Sequence, residues 1–542
     1  MSRREAVLTA AGIFLAALVV RAIAAAAVPF PVPEDTAYYW GVARNAIEGR
    51  GLVSDAIWSF NLPPYTFPRP AFEIWLPLPT ILSLPFLAAL GTGFRSAQVG
   101  GALVSALVPV LAWILVADLA EERGLPRARA RILAVGAGLV ACLYGPLVLY
   151  GALPDSTAPF TVATVAACIL MERVARDARG ARALDPRLIG IGVALGLAAL
   201  TRNEAIWYAL AWALVAWLAL PRGGGRAAAF LRLVAAPAIV AVLAYAPWAA
   251  RQWAVFGTPL PGQAIANAFS RTGSDIFAWA DPPTLGKWLA QGPAKLLGDR
   301  FTGFAHNLVT VLLVPAIPVG PIGLIGLPWI ARSVVLRPLL VGGALTFLAT
   351  TLVFPVSTTW GTFLHASGPI QVLLVASAAS GLDAAIARIG RRRGWRPSTA
   401  VLGPVALIAL AVPMLALTIG SIGSLSTEMQ DRYATLDRRT TAAGIHLGAG
   451  GPVIADFPIW LAESERIPTL ALPQESPAQV ADLARHFGVD YLVVSIGPSH
   501  GRWPAVLGEG GTDAACFVPV PEATVRDAAG IERLRVYRFS CP

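Results

Sequence analysis

Long apolar runs separated by short arginine-rich breaks organise the chain as far as residue 422, where the pattern changes. A helix needs roughly 20 apolar residues to cross the hydrocarbon core, so such runs read as membrane spans. Eleven fit: 6–28, 97–118, 132–150, 156–174, 188–201, 205–220, 230–250, 306–331, 338–355, 369–387 and 399–422. The stretch "EIWLPLPTILSLPFLAALG" (73–91) is apolar but short and carries Pro77, Pro79 and Pro85. It reads as a re-entrant or interfacial helix on the outer side. Beyond 422 helix and strand patterns alternate. "PVIADFP" reads as a strand, "SPAQVADLARHFG" as a helix capped by Ser476, and "DYLVVS" and "RLRVYRFS" as strands. The predicted fold class is a polytopic α-helical membrane protein with a C-terminal α/β domain. Its membrane domain covers 1–422, with outer loops at 29–96 and 251–305; the α/β domain covers 423–542.

Composition agrees with the pattern. The 542 residues are 56% hydrophobic and 14% charged, where soluble domains carry about 25% charged residues. Mean hydropathy is +0.64. The net charge of +10 does not signal nucleic acid, because from residue 423 onward 10 arginines face 14 acids. The positive surplus lies in the breaks between spans. Arg3 and Arg4 precede the first. Arg123 to Arg131, Arg173 to Arg187, Arg222 to Arg232, Arg332 with Arg337, and Arg388 to Arg396 follow the even-numbered ones. All fall on one side, the cytoplasmic side of a plasma (inner) membrane. The N-terminus is then cytoplasmic and the C-terminal domain extracytoplasmic. The first apolar run ends in alanines like a signal peptide, but its length favours an uncleaved helix. Cys142 and Cys168 sit in apolar runs as packing residues. Cys516 and Cys541 lie in the outer part, where an oxidising compartment would permit but not require pairing.

The outer face collects ionisable residues. In "PFPVPEDTAYYWGVARNAIEGRG" (29–51), Glu34 and Asp35 follow Pro33 at a helix start, and Asp35 and Tyr39 share a face. Asp155 lies in "LPDSTAP", where it also suits a helix cap. Arg202 and Glu204 occupy the "TRNE" turn between two short apolar segments, and Arg69 sits between prolines in "TFPRPAF". Charges so near a membrane are costly and tend to mark a site. Acids and arginines on one face suit the handling of a hydroxyl and a phosphate at the lipid boundary.

At these residues the chain resembles the GT-C superfamily of membrane glycosyltransferases, in particular the lipid A aminoarabinose transferases and protein O-mannosyltransferases. The resemblance covers most of the chain. It rests on Asp35, Tyr39, Ala43, Arg44, Asn45 and Gly49 after a helix containing Arg21, and on Arg69–Pro70 in the first loop. Asp155 before the fourth span, "GLAALTR" ending at Arg202, and "PW…R…FGTPLP" (247–261) complete it. It implies a single-sugar transfer from a polyprenyl-phosphate donor to a hydroxyl of an envelope glycolipid, polysaccharide or protein, with inversion and outside the cytoplasm. Asp35 would be the general base, and Asp155 the second acid, which positions the acceptor or supports a divalent metal. Arg69 and Arg202 would hold the phosphate, and Glu34, Tyr39, Glu204 and His365 would complete the substrate site. No cofactor is required on this reading. The chain departs from the family at Thr36, where a Glu is frequent, at Ser156–Thr157, which lack the oligosaccharyltransferases' second acid, and at "TFLHASGP", which puts His365 where an Arg-Tyr pair is common. A transporter or flippase of lipid-linked sugars is the alternative. It usually shows inverted repeats and mid-membrane charges, and neither is evident here.

Overall fold

The computed structural model describes residues 2–177, 185–395, 401–497, 503, 505–509 and 512–541; Arg179, Arg182 and Arg396 of the arginine clusters lie outside them. The described parts of the expected spans fall on helix, except that 306–331 is interrupted: a π-helix His306–Leu313 and the helix Val319–Ile330 are separated by a turn at 314–318. Among the described residues six helices are long and apolar enough to cross a membrane: Arg3–Ala27, Phe94–Glu122, Thr157–Arg176, Arg226–Phe256, Gly368–Arg393 and Leu402–Ala442. A seventh is the pair Arg127–Leu143 and Gly145–Ala152, bent by 63°. The break falls at Tyr144–Gly145–Pro146, and Pro146 has no N–H with which to continue the ladder. The orphaned carbonyl of Cys142 accepts from Arg21 Nη1 at 2.8 Å, while Arg21 Nε donates to Ser105 Oγ at 3.1 Å. A cation at a helix C-terminus is favoured by the helix dipole.

The other expected spans are shorter helices: Pro186–Ala199, Ala205–Ala219, Val319–Ile330 and Arg337–Leu352. At 1.5 Å per residue, helices this short do not cross roughly 30 Å of hydrocarbon alone. They hold their places by packing. Gly192 and Gly196 lie one turn apart against Arg226–Phe256, where an added Cβ would come within 2.6 Å of Val240 and Ala244. Small residues at this spacing let helix backbones approach closely. The apolar 73–91 stretch forms the helix Leu78–Leu90.

The C-terminal domain is built on a seven-stranded sheet. Val453–Ala455 lies between Thr469–Ala471 and Tyr491–Ser495, all parallel, and Glu532–Phe539 continues the sheet antiparallel. The helix Pro477–Phe487 begins with a capping box between Ser476 and Gln479. Cys516 and Cys541 are joined by a disulfide.

Two features revise the expected boundary at 422. The helix Leu402–Ala442 runs through it unbroken. Its outer half keeps a helical period of buried residues, Met429, Arg432, Tyr433, Leu436 and Thr440, although its exposed face turns polar. The first outer loop also contributes an edge strand, Ala56–Ile57, parallel to Thr469–Ala471. The outer domain therefore shares both a helix and a sheet with the membrane part.

Candidate active site

The helix Glu34–Ile47 starts directly after Pro33, with both acids in its first turn where the dipole favours them. Asp35 and Tyr39, one turn apart, face a cavity of about 450 Å³. Arg202 and Glu204 enter it from the break between Pro186–Ala199 and Ala205–Ala219. His365 comes from the short helix Thr362–Ala366.

His365 stands between the two acids. Its Nε2 lies 3.4 Å from Asp35 Oδ2 and its Nδ1 3.3 Å from Asp155 Oδ2. Thr157 Oγ1 approaches Nδ1 at 3.1 Å, and Asp155 Oδ1 accepts the Thr157 N–H at 2.7 Å. Asp155 thus caps a helix and orients an imidazole at once. Arg202 donates to Glu204 through Nε (3.1 Å) and Nη2 (2.9 Å), to Ser156 Oγ through Nη1 (3.1 Å) and to the Thr362 carbonyl (3.1 Å). Tyr39 lies beside Ser156 and lines the same cavity. The "PDST" turn therefore ties His365 to Arg202 by way of adjacent residues.

Electrostatics follow from this packing. Burial raises the Asp35 carboxyl above its ordinary value, although His365 pulls the other way. Burial would lower His365, but the carboxylates of Asp155 and then Asp35 more than offset it, and the net shift is upward. Burial likewise disfavours ionised Asp155, but His365 and the Thr157 N–H reverse this and hold it below the usual range. A raised acid facing the cavity and a lowered one behind it suit different tasks.

The same three residues bear on a divalent metal. Donor atoms of Asp35, Asp155 and His365 lie within 4.8 Å of one another. Asp35 and His365 line the cavity and Asp155 does not. Asp155 on the far ring nitrogen matches the outer partner that metal-bound histidines usually have. Two donors at this separation fit a cation that draws its remaining ligands from phosphate or water.

Of the residues expected from sequence, the structure brings Asp35, Tyr39, Asp155, Arg202, Glu204 and His365 together. Two need correction. Arg69 does not line the cavity: its Nη1 and Nη2 donate to the Ser59 and Leu62 carbonyls at 2.6 and 2.7 Å, and Glu73 lies 3.5 Å away. It is fully buried and wires the first loop into shape. Glu34 borders the cavity, but Oε1 accepts the backbone N–H groups of Ile459 (3.0 Å) and Trp460 (3.4 Å), and Oε2 accepts from Trp58 Nε1 at 3.3 Å. It joins the helix Glu34–Ile47 to the C-terminal domain. Sequence reasoning missed the cavity's aromatic walls, among them Trp58, Trp75, Phe457 and Trp460. Trp75 lies close enough to Asp35 to favour its ionised form; its place within the apolar 73–91 stretch was the available signal. No local signal marked Phe457 or Trp460; Trp460 and its neighbour Ile459 meet Glu34 across more than 400 residues of chain.

Comparison with solved structures defines the fold. ArnT from Cupriavidus metallidurans bound to undecaprenyl phosphate superimposes with a TM-score of 0.52 at 15% identity, over 100% of both chains. The same protein in the apo state gives 0.52 at 14%, over 98% of this chain and 99% of that one. An apo oligosaccharyltransferase from Archaeoglobus fulgidus gives 0.49 at 12%, over 98% of this chain and 74% of that one. No family model and no curated protein matches the sequence. ArnT is a lipid A aminoarabinose transferase of the GT-C superfamily, and the fold of this chain is the GT-C fold.

Proposed function

We propose that the protein transfers one sugar from a polyprenyl phosphate to an acceptor hydroxyl on the extracytoplasmic side of the plasma membrane. The observation that carries this reading is the convergence of Asp35, His365 and Arg202 in one cavity flanked by apolar helix ends. Ile206 and Trp207 open one span and Thr350 ends another, with Phe354 and Val356 beyond it, so a lipid tail can lie between them while its headgroup reaches the charged floor. The neighbouring fold that holds undecaprenyl phosphate supports the same class of donor.

Asp35 takes the acceptor's proton as the hydroxyl oxygen bonds to the anomeric carbon. The bond from that carbon to the phosphate oxygen breaks, and its electron pair leaves on the phosphate. Attack opposite the leaving group inverts the carbon. Arg202, held by Glu204 and Ser156, offsets the charge that grows on the phosphate. His365, backed by Asp155, orients the Asp35 carboxylate and stabilises its ionised form. A divalent cation, when bound, would be held by Asp35 and His365 and would add positive charge beside the phosphate.

The test is transfer from a lipid-linked sugar fraction by purified full-length protein, wild type against Asp35→Asn. The expected result is a loss of about 10²–10⁴-fold, the usual worth of a general base, with unchanged melting behaviour. Near wild-type turnover by a folded variant would remove Asp35 from the base role.

A further inference from the structure

The outer domain touches the cavity at one place. Among the described residues beyond 442, only Phe457 and Trp460 line it. Their rings lie 4.9 Å apart and tilted by 32°. They sit at the start of the helix Pro458–Glu465, which is fastened to the catalytic helix at several points. Glu34 receives its first N–H groups, beside Asp35. Trp460 Nε1 donates to the Pro31 carbonyl at 2.7 Å. Arg44 pairs with Glu463 at 2.7 Å, both buried. Gly41 makes this approach feasible, since an added Cβ would lie 2.1 Å from Glu463 Oε1. Arg466 reaches Glu48 at 2.6 Å. A domain attached this firmly moves with Asp35 and does not act as a separate module.

The wall so formed has a definite chemistry. Phe457, Trp460 and Trp58 give apolar ring surface to the cavity, and Glu34, which lines it too, accepts from Trp58 Nε1 and the Trp460 N–H. The Trp58 and Trp460 ring nitrogens are already engaged, to Glu34 and Pro31. A sugar ring has an apolar C–H face and hydroxyls round its rim; the face suits an aromatic wall and a rim hydroxyl can reach Asp35. Peptides are usually captured along an open strand edge or a groove. The strand next to the cavity, Ala56–Ile57, is buried at both residues.

We propose that Phe457 and Trp460 form the acceptor wall of the cavity and select a saccharide acceptor, so that the outer domain sets specificity from within the active site. This rests on the transferase reading above and assigns one wall of that cavity.

The experiment uses full-length protein in detergent, lipid-linked sugars labelled metabolically with 14C-glucose, and two acceptor preparations from the source cells: delipidated envelope polysaccharide and envelope protein. Wild type is expected to move label into protease-resistant polysaccharide. Phe457→Ala should need at least tenfold more acceptor for half-maximal rate, with turnover at saturation and donor hydrolysis by water within twofold of wild type. Trp460→Ala should do the same. Trp460 is buried, so Phe457→Leu, at the more open position, carries the test should Trp460→Ala melt early. Label in protease-sensitive protein, or unchanged acceptor dependence in the Phe457 variants, would overturn the assignment. Loss of the wild-type reaction in both acceptors and in extracted envelope glycolipid would overturn the transferase reading itself. Normal Phe457 variants beside an inactive Asp35→Asn would leave that reading intact and remove only the acceptor wall.

Discussion

Arg69 and Arg202 look alike in sequence: each is a lone arginine beside an apolar segment on the outer face. In the structure they do opposite work. Arg69 is buried, with two of its guanidinium nitrogens spent on loop carbonyls and Glu73 close by. Arg202 is bound on one side by Glu204 and Ser156 and borders the cavity on the other. A cation is available to a ligand only where its partners leave one side open. Nearness to the membrane says nothing about that; the partners decide it.

The contrast can be broken most sharply by exchanging each arginine for glutamine. Arg202→Gln should cost about 10²–10³-fold in turnover, as removal of one charge-stabilising donor typically does, with the protein still folded. Arg69→Gln should instead strand Glu73 as a buried, uncompensated acid. Breaking a buried pair from one side costs about 3–5 kcal/mol, so melting temperature should fall while turnover per folded molecule stays within a few-fold. Equal effects on rate and stability in both variants would erase the distinction.

His365 offers a second comparison, between the front and back of the acid pair. His365→Asn should lower turnover by about 10²-fold, because Asp35 loses the group that holds it ionised. Chelation of divalent cations separates two sources of that loss. If a cation contributes, wild type should slow in chelator and recover with Mg²⁺ or Mn²⁺, and His365→Asn should need more of the ion. If chelator leaves wild type unchanged, the imidazole alone accounts for the effect.

The smallest expected effect concerns Glu34 against its neighbour Asp35. Burial pushes the Glu34 carboxyl up to about 8. A carboxyl raised in the folded state contributes stability that is fully present below its unfolded value, about 4.3, and is lost as pH rises through 8. Melting temperature should therefore fall between pH 6 and pH 9, and Glu34→Gln should flatten part of that slope by a few degrees. Glu463, raised by burial to about 7, leaves a remaining slope of the same sign. An identical slope in wild type and Glu34→Gln would show that Glu34 does not titrate in the joint between domains.

The helices, the outer strands and the six converging polar residues were legible because their signals are local. Apolar runs mark spans, Ser476 and Gln479 mark a helix start, and acids and arginines near a membrane mark themselves by their cost. The misreadings share a cause, which is pairing that no sequence pattern announces, whether with carbonyls 7 and 10 residues back or with an N–H group 425 residues on. Nothing near Arg69 in sequence announces that the Ser59 and Leu62 carbonyls turn toward it. Nothing near Glu34 announces two N–H groups from residues 459 and 460. The 422 boundary failed for a related reason. The surface of Leu402–Ala442 changes polarity there, whereas its buried face continues to Thr440.

The central claim is that a lipid-borne phosphate meets Arg202 in the same cavity as Asp35 and His365. A cryo-EM map of the full-length protein in nanodiscs with undecaprenyl phosphate tests it most directly. The account predicts headgroup density within hydrogen-bond distance of Arg202, with the tail leaving between Ile206 and Thr350. Density seated instead in the arginine-bearing groove of Arg432, Arg438 and Arg533, with the Asp35 cavity empty, would contradict it.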